Sequence, residues 1–233
     1  MAHDPLGCDD CPVRDVAVCA GLGERERQTL ARLGRRRTIR RGETLFLAGE
    51  DNIACATLVS GALKLARIDS EGVERIVALV HPADFMARMF ATAIDCTATA
   101  LADSEICLFP RDVIAREMQG HAAFLDRLLR ATSAQLDRAR DLIDLIGRRD
   151  ARARVAGLLL MFLESACIPA RPGDVRRIDL PLTRGEMAAL LGLTIETVSR
   201  QLTALEAMGA VRRIGLRGLE VTDPDALRTA ATG

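Results

Sequence analysis

The feature that most restricts the fold of this 233-residue chain is a heptad repeat near its middle. Mostly apolar side chains recur there at alternating steps of four and three, over about three heptads. The repeat predicts one long helix with an apolar stripe, which either packs on its own domain or forms the seam of a parallel dimer. We favour the dimer because the stripe is narrow. The predicted seam residues are Leu125, Leu129, Thr132, Leu136, Ala139, Ile143 and Ile146.

The part of the chain before this helix has the pattern of β-structure. Short runs of β-forming residues, broken by glycine, follow one another between residues 25 and 120: ETLFLAG, ATLVSGALKLARI, RIVALVH and TATALADSEICLFP. Runs of this length with frequent turn residues predict an antiparallel barrel or roll. Residues 1–24 form a separate cysteine-bearing segment that has too few large apolar residues to fold alone.

The part of the chain after residue 150 is mostly helical in pattern. An apolar helix, ARVAGLLLMFLESA, ends in the loop IPARPGD, and RIDLPL follows as a short strand. Thr183 and Glu186 predict a capping box for a helix that stops at Gly192, and a second helix begins near Thr194. Such a pair predicts a helix-turn-helix, and AVRRIGLRGLEVTD predicts a two-stranded wing whose turn lies near residues 216–218.

These patterns together predict an α+β protein. An N-terminal antiparallel β-roll is followed by a long dimerisation helix and a C-terminal winged helix-turn-helix. The predicted domains are residues 1–24 for the cysteine segment, 25–120 for the roll, 121–149 for the dimerisation helix and 150–233 for the winged helix-turn-helix.

Composition narrows the classes of function. The formal net charge is zero, so DNA could be bound only by basic residues focused on one face. No apolar run could span a bilayer, and the start MAHDPLGCDDC is not a secretory signal, so we expect a cytoplasmic protein with no membrane partner. The sequence shows no nucleophile–base pair, phosphate loop or catalytic carboxylate pair, so we expect no enzymatic activity.

The start of the second predicted helix carries side chains suited to DNA. Glu196, Ser199 and Arg200 share one face near the helix N-terminus, where a recognition helix meets the major groove, while Val198 and Leu202 can supply the buried face. Arginine can pair with guanine, and a carboxylate can accept from an exposed amino group of a base. The alternative is a solvated Glu196–Arg200 ion pair without a role in DNA binding.

The cysteines suggest a metal centre. An odd number, seven, in a chain without a secretion signal argues against a disulfide framework. Cys8, Cys11 and Cys19 form C-x2-C-x7-C, which can occupy three corners of an Fe–S cluster or of a tetrahedral metal such as zinc, and either centre needs a fourth ligand. The histidines His3, His81 and His121 show no ligand pattern.

The chain resembles the CRP/FNR superfamily over nearly its whole length, and within it the FNR branch of oxygen-responsive regulators. The resemblance is carried by PLTRGEMAALLGLTIETVSRQLTALEAMG, by the cysteines and by the roll glycines Gly42, Gly49, Gly61 and Gly72. It implies a cyclic-nucleotide-binding-domain-like roll, a homodimer and one [4Fe-4S] cluster per subunit. It places the fourth ligand at Cys107, beside Cys8, Cys11 and Cys19, with Cys96 in reserve. We expect Cys55, Cys96 and Cys167 to be small buried side chains.

The resemblance also implies how DNA is read and which effector is absent. It implies palindromes with TTGAT-like half-sites and RNA polymerase as a partner in activation or repression. Arg200 would read the guanine, Glu196 the amino groups of the opposite strand, and Ser199 a thymine or phosphate. The predicted DNA contacts also include Thr194 and Thr197. Cyclic-nucleotide-binding members carry a Gly-Glu and an Arg-Ser pair, and both pairs are missing from HPADFMARMFATAIDCTATA. Arg88 is the one isolated candidate for a phosphate contact in this stretch. We therefore expect no cyclic nucleotide as effector.

One departure from the family pattern concerns the seam. Ala139 falls where the enterobacterial FNR type has an aspartate whose charge opposes dimerisation of the cluster-free protein, so we expect this apo protein to dimerise more readily. Two other functions stay open. One is a CRP/FNR-type regulator of another signal, such as haem-bound nitric oxide, with a zinc or vestigial cysteine site. The other is an electron-transfer protein, against which the recognition face argues.

Overall fold

A computed structural model of the chain describes residues 7–8, 10–165, 176–215 and 218–232. The chain divides into two compact units, Met1–Ala139 and Arg140–Gly233. His3, Cys167 and the whole of the predicted loop IPARPGD lie outside the described residues. None of the described helices combines the length and the apolar character needed to cross a membrane.

The first unit contains the β-roll. Its strands are β1 (Arg35–Ile39), β2 (Thr44–Phe46), β3 (Ala54–Ser60), β4 (Leu63–Ile68), β5 (Glu74–Val80), β6 (Phe85–Met86), β7 (Thr97–Ala100) and β8 (Ser104–Pro110). They pair antiparallel in one sheet of order β1-β8-β3-β6 and another of order β2-β7-β4-β5, which confirms the predicted roll. Ile39, Leu58, Leu63 and Ile106 are fully buried in its core.

Strand β1 is an element that the sequence patterns did not predict. Its residues, RRRTI, begin with three arginines and end with the buried Ile39, so they show no alternation of apolar and polar side chains. It pairs with β8 at the edge of its sheet, and the register sets Arg36 opposite Cys107. This pairing brings a cation to the side of a predicted metal ligand.

The N-terminal segment folds against the roll. A short 3-10 helix, Val18–Gly21, precedes helix α1 (Glu24–Leu33). Val13, Val18 and Leu22 are buried, Val13 against Val59 of β3 and the other two in a cluster with Phe109 of β8. The segment therefore gains the apolar surroundings that its own composition cannot supply.

The long predicted helix is confirmed. Helix α2 (Arg111–Gly120) is followed by α3 (Ala122–Gly147), which begins in the first unit and ends in the second. Within the first unit, Gln135 Nε2 donates to the Phe85 carbonyl at 3.1 Å, and Arg138 forms an ion pair with Asp84. The roll thereby holds one face of α3.

The second unit is the predicted winged helix-turn-helix. Its elements are α4 (Ala151–Ser165), β9 (Arg176–Asp179), α5 (Arg184–Leu191), α6 (Ile195–Ala207), β10 (Val211–Ile214), β11 (Gly218–Val221) and α7 (Pro224–Thr232). The wing was predicted as two strands, but β9 joins it in a sheet of order β10-β11-β9. Residues 216 and 217 of the predicted turn lie outside the described residues, and the third, Gly218, begins β11. Helix α7 was not predicted.

The helix-turn-helix forms through local contacts that the sequence predicts correctly. Thr183 Oγ1 accepts from the Glu186 N–H at 3.2 Å, and the Glu186 carboxylate accepts from the Thr183 N–H at 2.7 Å. Gly192 ends α5 in the left-handed region, at φ 63° and ψ 41°, which a side chain would disfavour. Thr194 then caps α6, and Val198 is buried beneath it.

Candidate functional site

The cysteines predicted as ligands lie together in the first unit. Cys8 and Cys11 from the N-terminal segment, Cys19 from the 3-10 helix and Cys107 from β8 line one small cavity, which is partly open to solvent. Strand β8 is held in the middle of its sheet between β1 and β3, so Cys107 has a fixed position. The structure therefore brings the N-terminal trio to the one residue of the roll that the resemblance selected.

The cavity is a mainly apolar setting for these thiols. Its walls include Val13, Leu30 and Phe109. Burial, followed by the proximity of Cys11 and Cys8, raises the pKa of Cys19 to about 11. Burial is also the largest cause that raises the pKa of Cys107, to about 12. A metal centre that binds these thiols must therefore displace their protons.

The arrangement differs from a site prepared for one ion. Within the described parts of the chain, no group of three or more His, Cys, Asp or Glu side chains is placed to hold a single metal ion. The thiols instead line the wall of a cavity. A [4Fe-4S] cluster takes one thiolate at each of its irons, so its ligands stand around a bulky centre rather than converging on a point.

The segment that carries Cys11 and Cys19 is packed on the start of α3. Val18 and Leu22 lie in the same buried cluster as Phe124, the third residue of α3. Arg127 Nη2 donates to the Asp15 carbonyl at 3.4 Å. The cysteine segment is therefore in direct contact with the start of α3.

The predicted seam is an exposed stripe on α3. The exposed fractions of its large side chains are 37% for Leu125, 62% for Leu129, 51% for Leu136 and 71% for Ile143. Thr132 is also exposed, while Ala139 and Ile146 are half-buried. A helix that packs this stripe on its own domain would cover these side chains, which it does not do here. That the stripe forms a dimer seam stays a prediction.

The predicted recognition face is formed by the first turns of α6. Glu196 and Arg200 are exposed and Ser199 is half-buried. In the described part of the chain no ion pair joins Glu196 to Arg200, and the role of the two residues in DNA binding stays a prediction. Hydrogen bonds from its own backbone N–H and from the Thr194 hydroxyl hold the pKa of Glu196 below its usual range, so its carboxylate is ionised and acts only as an acceptor.

The other polar residues of this face have intramolecular partners. Thr194 Oγ1 accepts from the Thr197 N–H at 3.2 Å, and the two hydroxyl oxygens lie 3.1 Å apart. Arg184 Nη1 donates to Ser199 Oγ at 3.3 Å and so links α5 to α6. Arg184 was not selected from the sequence, because a residue at the start of α5 shares no helical spacing with the face of α6.

Comparison with known proteins agrees with this architecture. The family model described as a Crp-like helix-turn-helix domain matches residues 153–230, and that described as a cyclic nucleotide-binding domain matches residues 36–121. The transcriptional activator protein FnrL of Cereibacter sphaeroides is 37% identical over 218 residues, which cover 93% of this chain and 88% of FnrL. The chain belongs to the CRP/FNR family, in its FNR-type branch.

Two further comparisons support the placement of this CRP/FNR protein. The nitrogen fixation regulation protein FixK of Bradyrhizobium diazoefficiens is 33% identical over 217 residues, which cover 93% of this chain and 90% of FixK. The structure of FixK2 from Bradyrhizobium japonicum matches with a TM-score of 0.75 at 25% identity, over 84% of this chain and 96% of that one. The chain is a transcription regulator of the FNR/FixK type, a family of regulators rather than enzymes, and its helix-turn-helix indicates DNA binding.

The remaining described cysteines of this FNR-type protein stand apart from the cavity lining. Cys55 is fully buried in the core, as predicted, and burial raises its pKa to about 11. The prediction was wrong for Cys96, which is half-buried and accepts a hydrogen bond from Arg67 Nε at 3.3 Å. The cysteines that line the described cavity do not include Cys96, so the structure gives no support to its reserve role.

Proposed function

We propose that this FNR-type regulator responds to oxygen through a [4Fe-4S] cluster bound by Cys8, Cys11, Cys19 and Cys107, one cluster per subunit. The observation that carries the proposal is the meeting of these thiols in one cavity. When bound, the cluster supplies an oxygen-labile inorganic link between the thiolates. The cysteines close a long loop of chain between the N-terminal segment and β8, and so order a segment that cannot fold alone.

The second step of the proposal is control of the dimer. Packing of Val18 and Leu22 on Phe124 lets the ordered segment support the start of α3. The exposed stripe that contains Leu129 and Ile143 is then the seam with a second copy of the chain. Loss of the link loosens the segment, weakens the dimer and lowers DNA affinity. A coupling of a few kcal/mol is enough to change the dimer population substantially.

The third step is DNA recognition by the dimer. Two copies of α6 meet the two half-sites of a TTGAT-like palindrome, one helical turn apart. Arg200 reads the guanine, Glu196 accepts from amino groups of the opposite strand, and Ser199 contacts a thymine or phosphate. Thr194 and Thr197 lie at the helix N-terminus, beside the DNA backbone. RNA polymerase is the expected partner at promoters, where the dimer activates or represses transcription.

Cyclic nucleotides have no place in this proposal. Arg88, the stray candidate for a phosphate contact, forms an ion pair with Asp95, and Arg67 binds the same carboxylate. A phosphate would have to displace that carboxylate from both arginines. Cyclic AMP should therefore leave the DNA affinity of the protein unchanged.

Metal and sulfide analysis of protein purified without oxygen tests the proposal. The cluster predicts a brown protein with about four irons and four sulfides per chain. A colourless protein with one zinc would instead favour a regulator of another signal, such as haem-bound nitric oxide. The Cys19→Ser protein should bind no iron and should also fail to dimerise. Cys96→Ser is the matched control, since Cys96 is half-buried outside the cavity lining and its loss should change neither.

A further inference from the structure

An arginine stands beside the fourth predicted ligand. Arg36 of β1 is paired with Cys107 of β8, and directly opposed residues of an antiparallel pair project from the same side of the sheet. Its Nη2 donates to Glu105 at 2.7 Å, and its Nε lies 2.6 Å from the same carboxylate without hydrogen-bond geometry. A β-carbon built on Gly7 would stand 3.6 Å from its Nη1, so the chain leading into Cys8 passes over the guanidinium.

Arg27, unlike Arg36, is among the residues that line the cavity itself, as is Arg14. Arg27 of α1 shares the cavity wall with Cys8 and Cys19, and it forms an ion pair with Glu24 one turn earlier. Arg27 and Arg36 both remain half-buried, so water screens their charges less than it screens charges on the open surface.

The two arginines lie near different cysteines, Arg27 near Cys19 and Arg36 near Cys107. The positive charge of Arg27 interacts with the thiols of Cys19 and Cys8. It lowers the pKa of Cys19, although burial raises that pKa by more. The positive charge of Arg36 interacts with the thiols of Cys107 and Cys11. It lowers the pKa of Cys107, although burial raises that pKa by more. Cys19 and Cys107 therefore each have a guanidinium nearby, supplied by a different element of the fold, and Arg14 adds a further arginine to the cavity lining.

We propose that Arg27, from the cavity wall, and Arg36, from the strand beside Cys107, are positioning residues that balance the negative charge of the cysteine-bound cluster. The inference rests on the proposed function. Four thiolates in an apolar cavity are costly unless cations stand close by. The arginines therefore set how firmly the chain retains iron. They also set the midpoint potential of the cluster, because a nearby positive charge favours the more negative, reduced form.

Glu105, the ion-pair partner of Arg36, allows a test based on the direction in which the midpoint potential shifts. Glu105 holds Arg36 in place and partly cancels its charge. Replacing Arg36 with methionine removes a cation and leaves the Glu105 carboxylate beside Cys107. Replacing Glu105 with glutamine keeps the cation and removes the opposing charge. The two substitutions must therefore shift the midpoint potential in opposite directions.

The experiment compares reconstituted full-length proteins under anaerobic conditions. Arg27→Met and Arg36→Met are matched with Arg25→Met and Arg37→Met, which change exposed arginines of the same helix and the same strand. The readouts are iron and sulfide per chain, the rate of iron loss to a ferrous chelator, and the midpoint potential. We expect severalfold faster iron loss and a more negative potential for Arg27→Met and Arg36→Met, values like the wild type for the controls, and a more positive potential for Glu105→Gln.

The possible outcomes distinguish a failure of the arginine proposal from a failure of the cluster proposal. Wild-type protein that takes up no iron and sulfide overturns the proposed function, and this inference with it. Loaded wild-type protein whose Arg27 and Arg36 variants match the controls overturns this inference alone. Should Arg36→Met not fold, Arg36→Gln still decides, because it keeps a hydrogen-bond donor for Glu105 and removes only the charge; a potential like that of Arg37→Met there contradicts the role of Arg36.

Discussion

The backbone of Gly21 lies directly against the backbone of Ala123. A β-carbon at residue 21 would stand 2.5 Å from the Ala123 carbonyl oxygen and 2.9 Å from Cγ of Arg127, which is closer than real β-carbons come to other atoms. Gly21 ends the 3-10 helix that carries Cys19, and Ala123 lies in the first turn of α3. The cysteine segment therefore approaches the predicted dimerisation helix backbone to backbone at this point.

Gly21→Ala should therefore separate the cysteine segment from α3 without removing a ligand. The carbonyl of Ala123 belongs to a helix and cannot easily move, so the segment must shift instead. We expect iron content near that of the wild type and a dimer that is severalfold weaker, measured by analytical ultracentrifugation of iron-loaded protein. Gly23→Ala is the matched control, because its β-carbon would meet only the flexible end of the Glu26 side chain, at 2.5 Å. A loaded Gly21→Ala protein that dimerises as well as Gly23→Ala would show that this contact does not transmit the signal.

The two faces of α3 should respond differently to substitution. Leu129 is 62% exposed, so Leu129→Glu should leave the free energy of unfolding of the subunit nearly unchanged while abolishing the dimer. Leu145 is 2% exposed, so Leu145→Ala should cost about 2–5 kcal/mol of folding stability through loss of packing. Urea denaturation measures the stability and size-exclusion chromatography with light scattering measures the mass. Dimeric Leu129→Glu protein would contradict the assigned seam.

The sequence predicted best the features that local contacts create. The capping box of Thr183 and Glu186 and the left-handed Gly192 depend on residues a few positions apart, and both are present as predicted. The long helix also followed from spacing alone, since the heptad period repeats along one element. Exposure of Leu129 and Ile143 could then be anticipated, because a stripe that narrow does not match a broad domain face.

The features that escaped prediction are tertiary. Arg36 stands beside Cys107 only because β1 pairs with β8, and the arginine-rich β1 has no strand-like alternation. The approach of Gly21 to Ala123 joins segments about one hundred residues apart and leaves no trace in local composition. Cys107 itself was selected through the resemblance to a family, since nothing in its own neighbourhood in the sequence marks it as a partner of Cys8.

Ala139 should make the cluster-free protein a better dimer than a charged residue would allow. It is a half-buried member of the predicted seam, where a carboxylate in each subunit would face its counterpart. In the absence of iron, Ala139→Asp should raise the monomer fraction relative to the wild type, as read by size-exclusion chromatography at one protein concentration. Equal monomer fractions in the two apo proteins would remove this residue from the control of dimerisation.

Arg200 should account for recognition of the guanine in each half-site. It is exposed on the first turns of α6, and no ion pair within the described residues ties it to Glu196. Arg200→Ala should cost about 1–3 kcal/mol of binding and should lose most of the preference for guanine over another base at that position. Anisotropy titrations at fixed salt of both proteins, against the palindrome and against a site with that guanine replaced, form a complete double-mutant cycle. If the two changes add without interaction, Arg200 contacts something other than the guanine, and the assigned reading of the half-site is wrong.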